Sequence, residues 1–595
     1  MTYQPLERYG VIGDLHTAAL VGADGSLDWL CLPQFDSPSV FAAILDPELG
    51  GRFQLRPREE LASRQAYLPD SNVLVTRFQG PGGLAEVTDL MPPPGGGRAH
   101  SPAVVRRVRV LSGEVEWRGE CRPAFDYARA GHEANAEEGG VLFRSAALSL
   151  RLTASVPLEV RGGAAHADFT LRAGEEAHFV LRDAGAPALA DPGELERDTL
   201  RFWRGWLARC TYQGRWRETV YRSALTLKLL TFLPTGAIVA APTTSLPEWI
   251  GGGRNWDYRY TWLRDAAFTV YALMRLGFHD EANAFVTFIR ERSRATGPDG
   301  SLRVMYRVGG GTDIPEEELT HLAGYRGSRP VRIGNAAYGQ FQLDVYGELL
   351  DAIYLHNKHG EPISHDVWTE VTRVLDWLAD HWHEDDDGIW EVRGGRRPFV
   401  LSRVMGWVAF DRGLRIAAQR GLPAPVERWR AERDAIYAEV MARGYSQEAG
   451  AFTQFYGSRE LDGANLLLPL VKFVGPRDPR MLSTLERTRE ELAAGPLVSR
   501  YRPEHAAGDG VGGEEGAFLA CSFWLVEGLA RAGQVEEART LFEQTLTFAT
   551  PLGLLSEEVG PEGQALGNFP QALSHLALIS AAVNLDRALN AGGIR

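Results

Sequence analysis

Residues 255–268 combine large aromatic rings with charged side chains in the sequence NWDYRYTWLRDAAF. The rings of Trp256, Tyr258, Tyr260 and Trp262 occupy alternate positions, with Asp257, Arg259, Arg264 and Asp265 placed among them. A buried strand has no need of the charges, and a solvated loop has no need of the rings. A surface that binds sugars needs both, because rings cover the C–H faces of a pyranose while guanidinium and carboxylate groups fix its hydroxyls. The run therefore predicts a carbohydrate-binding surface.

Two glutamates in later loops, Glu391 and Glu557, could supply the chemistry for such a surface. Cleavage of a glycosidic bond needs one carboxylic acid that protonates the leaving oxygen and one carboxylate that activates water or attacks carbon. Glu391 follows Trp390 in the sequence GIWE, and packing against that indole would favour the protonated acid. Glu557, in the sequence LLSEE, is the candidate base. Each glutamate alone is a weak signal, since most loop glutamates are simply solvated.

The helices that must position these residues begin near residue 215. The hydrophobic periodicity predicts twelve helices, at 215–231, 264–277, 279–295, 336–357, 363–382, 400–420, 425–443, 462–473, 478–494, 514–532, 534–549 and 569–591. Connections after the even-numbered helices are only about one to five residues long, whereas those after the odd-numbered helices are long. Six such hairpins can close into a double-layered (α/α)6 toroid with a central pocket, and an open solenoid is the alternative.

The long connections carry the chemical side chains. In an antiparallel array, connections of the same parity lie at the same end, so all the long loops should share one face. Residues 255–265 lie in the first long loop, 383–399 in the third, 499–513 in the fifth and 553–569 in the sixth. We therefore expect Glu391 and Glu557 to meet across one pocket, although 166 residues separate them in sequence.

The first third of the chain has a different pattern. Apolar and polar residues alternate in short segments between Gly and Asp turn signals, as in DFTLRAGEEAHFVLRD, with no long helices between them. This pattern predicts an antiparallel β-sandwich. The sequence DPGELERDTLRFWRGWLARC then runs at helical period. The predicted organisation is a sandwich over 1–190, a linking helix in 191–214, and a helical toroid over 215–595.

Composition excludes several classes of partner. The formal net charge of −14 argues against nucleic-acid and anionic-membrane partners, which require clustered cations. No secretory signal and no membrane-spanning apolar segment is visible, so we expect a cytoplasmic protein. The four cysteines are widely separated and match no metal-binding or disulfide pattern, so buried reduced thiols are predicted. No cofactor or metal is expected from the sequence, and homo-oligomer formation is left open.

At these residues the chain resembles glycoside hydrolase family 15, which includes glucoamylases, glucodextranases and bacterial trehalases. The similarity extends over six blocks in order, covering nearly the whole chain. These blocks are 12–46, whose IGDLHTAALVGADGSLDWLC resembles the N-terminal signature of the trehalase-like branch, WDYRYTWLRDA at 256–266, GYRGSRPVRIGNAA at 324–337, GIWEVRG at 388–394, EEGAFLACSFWLVE at 514–527, and LLSEE…LGNFPQALSHLALISAA at 554–582.

The resemblance implies roles for individual residues. It implies that Glu391 is the general acid and Glu557 the general base of an inverting reaction, with the carboxylates roughly 6.5–9.5 Å apart. It also implies a glucose-binding role for Tyr258, Trp262, Arg264, Asp265, Trp390 and Arg500. From their loop position alone, Arg329, Arg332 and Asn335 are either solvated or line the leaving-group side of the pocket. Val392 departs from the fungal glucoamylases, which carry a second acid there, and MYRVGGGTD at 305–313 departs from the usual form of the branch.

The resemblance and the composition together favour an exo-acting α-glucoside hydrolase whose substrate is α,α-trehalose, a small soluble glucoside. Hydrolysis of malto- or isomalto-oligosaccharides is the principal alternative. A disaccharide phosphorylase is a second alternative, although Glu557 would repel the phosphate nucleophile. A sugar-binding protein without catalysis is a third.

Overall fold

The structure, a computed structural model, describes residues 3–95, 100–187, 189–296, 299–502 and 509–592. Its first part is built from strands and its second part from helices, so the β-sandwich followed by an (α/α)6 toroid is confirmed. Residues 503–508 of the predicted loop 499–513 lie outside the described residues. No helix among the described residues is long and apolar enough to span a membrane. The four cysteines are buried and unpaired, as predicted.

In the described residues of the first part, fifteen strands pair in antiparallel fashion. They are β1 (Tyr9–Gly13), β2 (Ala18–Gly22), β3 (Ser26–Cys31), β4 (Ser39–Phe41), β5 (Arg52–Pro57), β6 (Ala62–Tyr67), β7 (Leu74–Gly80), β8 (Gly83–Leu90), β9 (Ala103–Arg122), β10 (Glu133–Glu137), β11 (Gly140–Arg144), β12 (Ser149–Ala154), β13 (Glu159–Arg161), β14 (Ala164–Arg172) and β15 (Glu176–Asp183). Strand β9 belongs to both layers. Its first half pairs with β8 and β15, whereas its second half pairs with β5 and β14.

The two layers pack face to face through aromatic side chains. The rings of Phe78 and Trp117 lie 5.8 Å apart, and those of Phe53 and Phe179 lie 6.2 Å apart. Gly113, which joins the two halves of β9, has a φ of +76° that favours glycine. The long strand can therefore turn from one layer into the other at this residue.

Two helices precede the toroid. A short turn, α1 (Phe125–Ala128), follows β9, and α2 (Pro192–Leu207) follows the last strand. Helix α2 begins at the Asp-Pro-Gly sequence of residues 191–193. The Asp191 carboxylate accepts hydrogen bonds from the N–H groups of Gly193 and Glu194, and Pro192 occupies the first turn.

Among the residues that the structure describes, eleven helices and one 3-10 turn build the toroid. The helices are α3 (Arg217–Leu229), α4 (Ala266–Arg275), α5 (His279–Thr296), α6 (Asp344–His359), α7 (His365–His381), α8 (Val400–Arg420), α9 (Val426–Arg443), α10 (Pro479–Glu491), α11 (Leu519–Ala532), α12 (Val535–Thr545) and α13 (Ala572–Gly592). Helix α4 packs on α6, α6 on α8, and α11 on α13, while α13 returns to α4. The turn Gly463–Leu467 joins α8 to α11, which closes a ring of six inner elements.

The predicted helix at 462–473 is wrong. The structure has a 3-10 turn, Gly463–Leu467, followed by irregular backbone. Asp462 begins the turn by accepting a hydrogen bond from the N–H of Ala464. Pro469 explains the early end, because proline lacks the N–H group that a helix needs and its ring clashes with the carbonyl four residues earlier. The segment still takes the place of the eighth predicted helix in the ring, and Leu466, Leu467 and Leu468 are buried there.

Short strand pairs and turns order the loops of the pocket face. The strands are β16 (Thr231–Phe232), β17 (Ala237–Ile238), β18 (Thr244–Pro247), β19 (Asn255–Asp257), β20 (Thr261–Trp262), β21 (Met305–Tyr306), β22 (Glu317–Glu318), β23 (Arg332–Ile333), β24 (Tyr445–Ser446), β25 (Ala451–Phe452), β26 (Ala493–Ala494), β27 (Leu497–Val498), β28 (Ala517–Phe518), β29 (Glu558–Val559) and β30 (Ala565–Leu566). Further 3-10 turns are Leu6–Arg8, Tyr325–Gly327, Ala336–Gly339 and Leu546–Phe548.

The sandwich supports the first long loop directly. The indole of Trp29 donates to the carbonyl of Pro242 over 2.7 Å, and the guanidinium of Arg259 donates to the carbonyl of Ser37 over 2.8 Å. Arg259 also forms a buried ion pair with Asp257 at 2.6 Å. The charged residues at 257 and 259 therefore anchor the loop, and their neighbours are left to face the pocket.

Candidate active site

Glu391 lies on a strained turn between α7 and α8. Its φ is +59°, an uncommon backbone conformation for a residue with a side chain, and its N–H donates to the carbonyl of Gly388 over 3.1 Å. The carboxylate Oε1 accepts a hydrogen bond from the Trp262 indole at 2.6 Å and another from Arg264 at 3.2 Å. Arg264 also donates to the carbonyl of Ile389, at 2.5 Å. The first long loop therefore fixes the direction of the Glu391 side chain.

Glu557 lies just before β29 and is almost fully buried. Its Oε1 accepts a hydrogen bond from the Tyr258 hydroxyl at 2.7 Å, and its Oε2 accepts one from the N–H of Asn568 at 3.3 Å. Burial raises the pKa of the Glu557 carboxyl to about 8, and the negative charge of Glu248 adds to this. The Tyr258 hydrogen bond and the positive charge of Arg500 oppose the rise. This acid therefore binds a proton more tightly than a solvated glutamate.

A pair of aromatic rings connects the two glutamates. Trp262, which donates to Glu391, lies with its ring 5.4 Å from that of Tyr258, which donates to Glu557. The rings meet edge to face, an arrangement that aromatic pairs favour. Two alternating aromatic positions of the first long loop thus donate hydrogen bonds to the two carboxylates, of which Glu391 lines the cavities described below and Glu557 lines neither.

Two adjoining cavities, each of about 440 Å³, meet at Glu391. The Arg264 cavity is lined by Ala240, Tyr258, Trp262, Arg264, Asp265, Ile389, Trp390, Glu391, Arg500, Phe518, Gln571 and Leu573. The Arg393 cavity is lined by Glu248, Arg254, Trp256, Tyr258, Asn335, Ala337, Trp390, Glu391, Val392, Arg393, Arg500, Tyr501, Asp509 and Val511. Tyr258, Trp390, Glu391 and Arg500 line both. The arrangement offers two compartments with a carboxyl group where they join.

The Arg264 cavity contains an incompletely satisfied carboxylate. Asp265 lies at its wall, 3.5 Å from the Arg264 guanidinium. Burial raises the pKa of Asp265, and the charge of Arg264 opposes this. Within the described residues, Oδ1 of Asp265 has no hydrogen-bond partner. Buried polar atoms are rarely left in this state, so a hydroxyl donor in the cavity would satisfy it.

The Arg393 cavity contains a tryptophan held by charged groups. The guanidinium groups of Arg332 and Arg393 lie 4.8 Å and 4.3 Å from the ring centre of Trp256. Glu316 forms ion pairs with both, at 3.4 Å and 2.6 Å respectively. The Trp256 indole donates to Glu248 over 3.0 Å. The ring is therefore fixed by its neighbours, and the polar groups beside it can bind a second hydroxylated molecule.

Some residues predicted for the site lie elsewhere. Arg329 is exposed, donates to the carbonyl of Ala323 over 3.2 Å, and lines neither cavity. Arg332 is also absent from both linings, although its contact with Trp256 supports the Arg393 cavity. Trp390 lines both cavities, but its indole donates to Asp462 over 2.8 Å and not to the neighbouring glutamate.

Four charged residues of the Arg393 cavity were not predicted, namely Glu248, Arg254, Arg393 and Asp509. Arg393 lies two residues after Glu391, so its proximity could have been inferred from the sequence. The other three carry no local signal. Each becomes part of the site only because its loop folds back over the pocket.

The geometry matches what comparison with known proteins finds. Residues 214–583 match the model of the glycosyl hydrolases family 15, and residues 2–177 match the model of the trehalase-like N-terminal domain. The chain belongs to glycosyl hydrolase family 15. It is therefore a glycoside hydrolase, and the resemblance seen in the sequence is confirmed.

Relatives of the chain extend over nearly its full length. A trehalase of Mycolicibacterium smegmatis is 42% identical, over 98% of this chain and 92% of its own. A trehalase of Thermoplasma volcanium is 36% identical, over 99% of this chain and 94% of its own. The crystal structure of a bacterial glucoamylase complexed with acarbose has the same fold, with a TM-score of 0.73 and 14% identity over 98% of this chain and 94% of that chain.

Proposed function

We propose that this chain hydrolyses α,α-trehalose to glucose with inversion at the attacked carbon. The observation that carries the proposal is the pair of adjoining cavities of similar volume that meet at Glu391. A disaccharide linked through one oxygen would place one ring in each cavity and the oxygen beside this carboxyl group. The trehalases of M. smegmatis and T. volcanium, which match the chain from end to end, support the choice of substrate.

In the proposed reaction, Glu391 protonates the glycosidic oxygen and Glu557 removes a proton from the attacking water. Trp262 and Arg264 orient the acid, and Tyr258 orients the base. The glucose that is attacked occupies the Arg264 cavity and leaves as the β anomer. The other glucose keeps its α configuration, because none of its bonds to the anomeric carbon is broken.

The guanidinium of Arg264 and the carboxylate of Asp265 hold hydroxyls of the attacked ring in this proposal. Their contacts contribute to the rate where they strengthen as positive charge develops on the ring. Arg500 lines both cavities and lies with its guanidinium 5.5 Å from the ring centre of Trp390. It can therefore contact either sugar near the bond that breaks.

The first experiment follows the anomeric protons by NMR while the purified protein acts on trehalose, maltose, isomaltose or maltotetraose. We expect trehalose to be cleaved fastest, with equal initial amounts of β- and α-glucose. Faster cleavage of the other substrates would assign the malto- or isomalto-oligosaccharide activity. Release of glucose 1-phosphate that depends on added phosphate would assign a phosphorylase.

Two substitutions separate the acid from the base. Loss of a general acid costs about 10²–10⁴ in rate, so Glu391→Gln should lose trehalose hydrolysis by that factor. The same variant should still hydrolyse α-glucosyl fluoride, because fluoride leaves without protonation. Glu557→Gln should lose both reactions, since water remains the nucleophile in each. Equal losses on both substrates for Glu391→Gln would exclude the assigned acid role.

Each variant has a matched control in its own loop. Glu384 and Glu562 are exposed, so Glu384→Gln and Glu562→Gln make the same chemical change outside the cavities. Both controls should keep wild-type rates on both substrates.

A further inference from the structure

A buried group of charged residues lies behind the two cavities. It comprises Glu248, Glu515, Glu558, Arg254 and Arg500, here called the Arg500 cluster. Nη2 of Arg500 lies 2.9 Å from Glu248, 2.7 Å from Glu515 and 3.4 Å from Glu558. Arg254 lies 3.4 Å from Glu515 and 3.7 Å from Glu248. With two guanidinium groups inside it, the cluster is not a cation site despite its three converging carboxyl groups.

Negative groups outnumber positive ones in this region. Asp509 pairs with Arg254, and Glu557 is the chain neighbour of Glu558, so five carboxyl groups share two guanidinium groups. An unpaired buried carboxylate is so costly that such a group normally keeps its proton instead. Burial raises the pKa of Glu557 to about 8, but even with Glu557 protonated four carboxyl groups share the two guanidinium groups. At least one further acid of the region is therefore expected to be neutral at pH 7.

Hydrogen bonds distinguish the three glutamates of the cluster. Glu248 accepts bonds from Trp256 at 3.0 Å and from Arg500 at 2.9 Å. Glu515 accepts two bonds from Arg500, at 3.3 Å and 2.7 Å. The donors to Glu248 favour its ionised form and oppose the rise that burial causes in its pKa. The two bonds from Arg500 fix the position of the Glu515 carboxyl group.

Glu558 has the fewest donors. Its Oε2 accepts the N–H of Gly516 at 2.7 Å, but Oε1 has no hydrogen-bond partner in the part of the chain that the structure describes. Burial, followed by the negative charge of Glu248, raises the pKa of Glu558 well above its ordinary value. The other charged groups that face it are Arg500, which opposes the rise, and Glu515 and Glu557, which add to it. The Cys521 thiol faces it too.

The backbone places Glu557 and Glu558 in different surroundings. Glu558 begins β29, and successive side chains along extended backbone point to opposite sides. Glu557 accordingly reaches Tyr258 at the cavities, whereas Glu558 reaches the Arg500 cluster. The two acids are close enough for the charge of one to disfavour that of the other.

We propose that Glu558 is a positioning residue that holds a proton at neutral pH, so that Glu557 can ionise and act as base while Glu248 and Glu515 fix Arg500 beside the cavities. This inference rests on the proposed function, because it assigns Glu557 the role of base. The proton on Glu558 removes one negative charge from the neighbourhood of Glu557. Glu248 and Glu515 keep the hydrogen bonds that hold Arg500.

The test compares two variants by the acidic limb of the pH profile of kcat/KM for trehalose, which reports ionisation of the base in the free enzyme. Glu558→Gln replaces one neutral group by another, so the limb should keep its wild-type position. Glu248→Gln removes a charge that disfavours ionisation of Glu557, so the limb should move to lower pH, by roughly half a unit to one unit. A downward shift in Glu558→Gln as large as that in Glu248→Gln would show an ionised Glu558 and overturn the proposal.

An infrared measurement makes the test independent of activity. The difference spectrum between wild type and Glu558→Gln at pH 7 should contain the carbonyl band of one protonated carboxylic acid. A carboxylate band in its place would overturn the proposal. If the protonated band is found but trehalose is not cleaved, the proposed function fails while the proton on Glu558 stands.

Folding of the variants also decides between the two states. Gly516 donates to the carbonyl of Glu248 over 3.1 Å as well, so Glu558→Met leaves its N–H with a partner. We expect both neutral variants, Gln and Met, to fold. If neither folds, position 558 requires a negative charge and the proposal is wrong.

Discussion

Replacing Tyr258 by Phe isolates one hydrogen bond of the candidate base. The change removes the hydroxyl that donates to Glu557 at 2.7 Å and keeps the ring that packs against Trp262. A hydrogen bond to a charged group contributes about 1.5–3 kcal/mol. Because this bond favours ionised Glu557, its loss should raise the pKa of that residue further, by about one to two units at 1.36 kcal/mol per unit.

The expected result is a pH-dependent loss of activity. On the acidic side, where fewer molecules carry ionised Glu557, kcat/KM for trehalose should fall about 10- to 150-fold, the factor that corresponds to 1.5–3 kcal/mol. The loss should shrink as the pH rises past the new limb, because the base then ionises without the hydroxyl. In wild type the midpoint of the acidic limb should lie at a pH well above the pKa of a solvated glutamate, since burial raises the pKa of Glu557 to about 8.

The assay is kcat/KM for trehalose across the pH range, in wild type, Tyr258→Phe and Tyr501→Phe. Tyr501 also lines a cavity, but its hydroxyl donates to Asp509 at 3.1 Å, so its variant should leave the acidic limb in place. A loss in Tyr258→Phe that is the same at every pH would refute the reasoning. So would a wild-type limb at pH 4 to 5, about the value of a solvated carboxyl group.

Three further predictions follow from buried groups and cavity walls. Gly567→Ala should lose more than about tenfold in kcat, because a Cβ at this position would lie 2.4 Å from Oε2 of Glu557 and the φ of +73° disfavours side chains. A fully active variant that circular dichroism shows to be folded would contradict this prediction. Burial raises the pKa of Asp386 to about 7, so the contribution of its protonated form to the free energy of unfolding is lost as the pH rises from about 4 through 7. The melting temperature of Asp386→Asn relative to that of wild type should therefore increase between pH 5 and pH 8. A constant difference between the two proteins would disprove this prediction. Asp265→Asn should slow the hydrolysis of trehalose and of α-glucosyl fluoride equally. Arg393→Gln should slow the hydrolysis of trehalose more, because α-glucosyl fluoride leaves the Arg393 cavity empty. Equal losses on the two substrates in both variants would contradict the assignment of one sugar ring to each cavity.

The sequence predicts the helical framework well because helix period and loop length are local properties. Eleven of the twelve predicted helices are found, with ends displaced by a few residues, and α8 matches its predicted bounds of 400–420. The largest displacement is at α6, which begins at Asp344 and not at 336, since Ala336–Gly339 forms a 3-10 turn. The prediction at 462–473 is wrong because Pro469 interrupts a segment whose apolar residues recur at helical period. The two-residue strands of the loops were missed because such short segments have no measurable period.

The candidate site is only partly readable from sequence, for a physical reason. The aromatic and charged residues of 255–265 lie close together along the chain, so the sequence alone predicts that they form one sugar-binding surface. The Arg500 cluster draws Glu248, Arg254, Glu515 and Glu558 from three separate loops, and its contacts exist only after the ring has closed. Trp390 illustrates the limit, since its neighbour in sequence is Glu391 whereas its hydrogen-bond partner is Asp462. The separation of the Glu391 and Glu557 carboxylates stays a prediction.

Closure of the ring by α13 has a consequence for synthesis of the protein. The loop that carries Glu557 comes late in the chain, and α13, which packs against α3 and α4, comes later still. During translation Glu391 leaves the ribosome well before Glu557, and the Arg264 cavity does not have all its walls until Leu573 of α13 is in place. We therefore expect nascent chains stalled before α13 to be inactive, and catalysis to begin only after this final helix has docked.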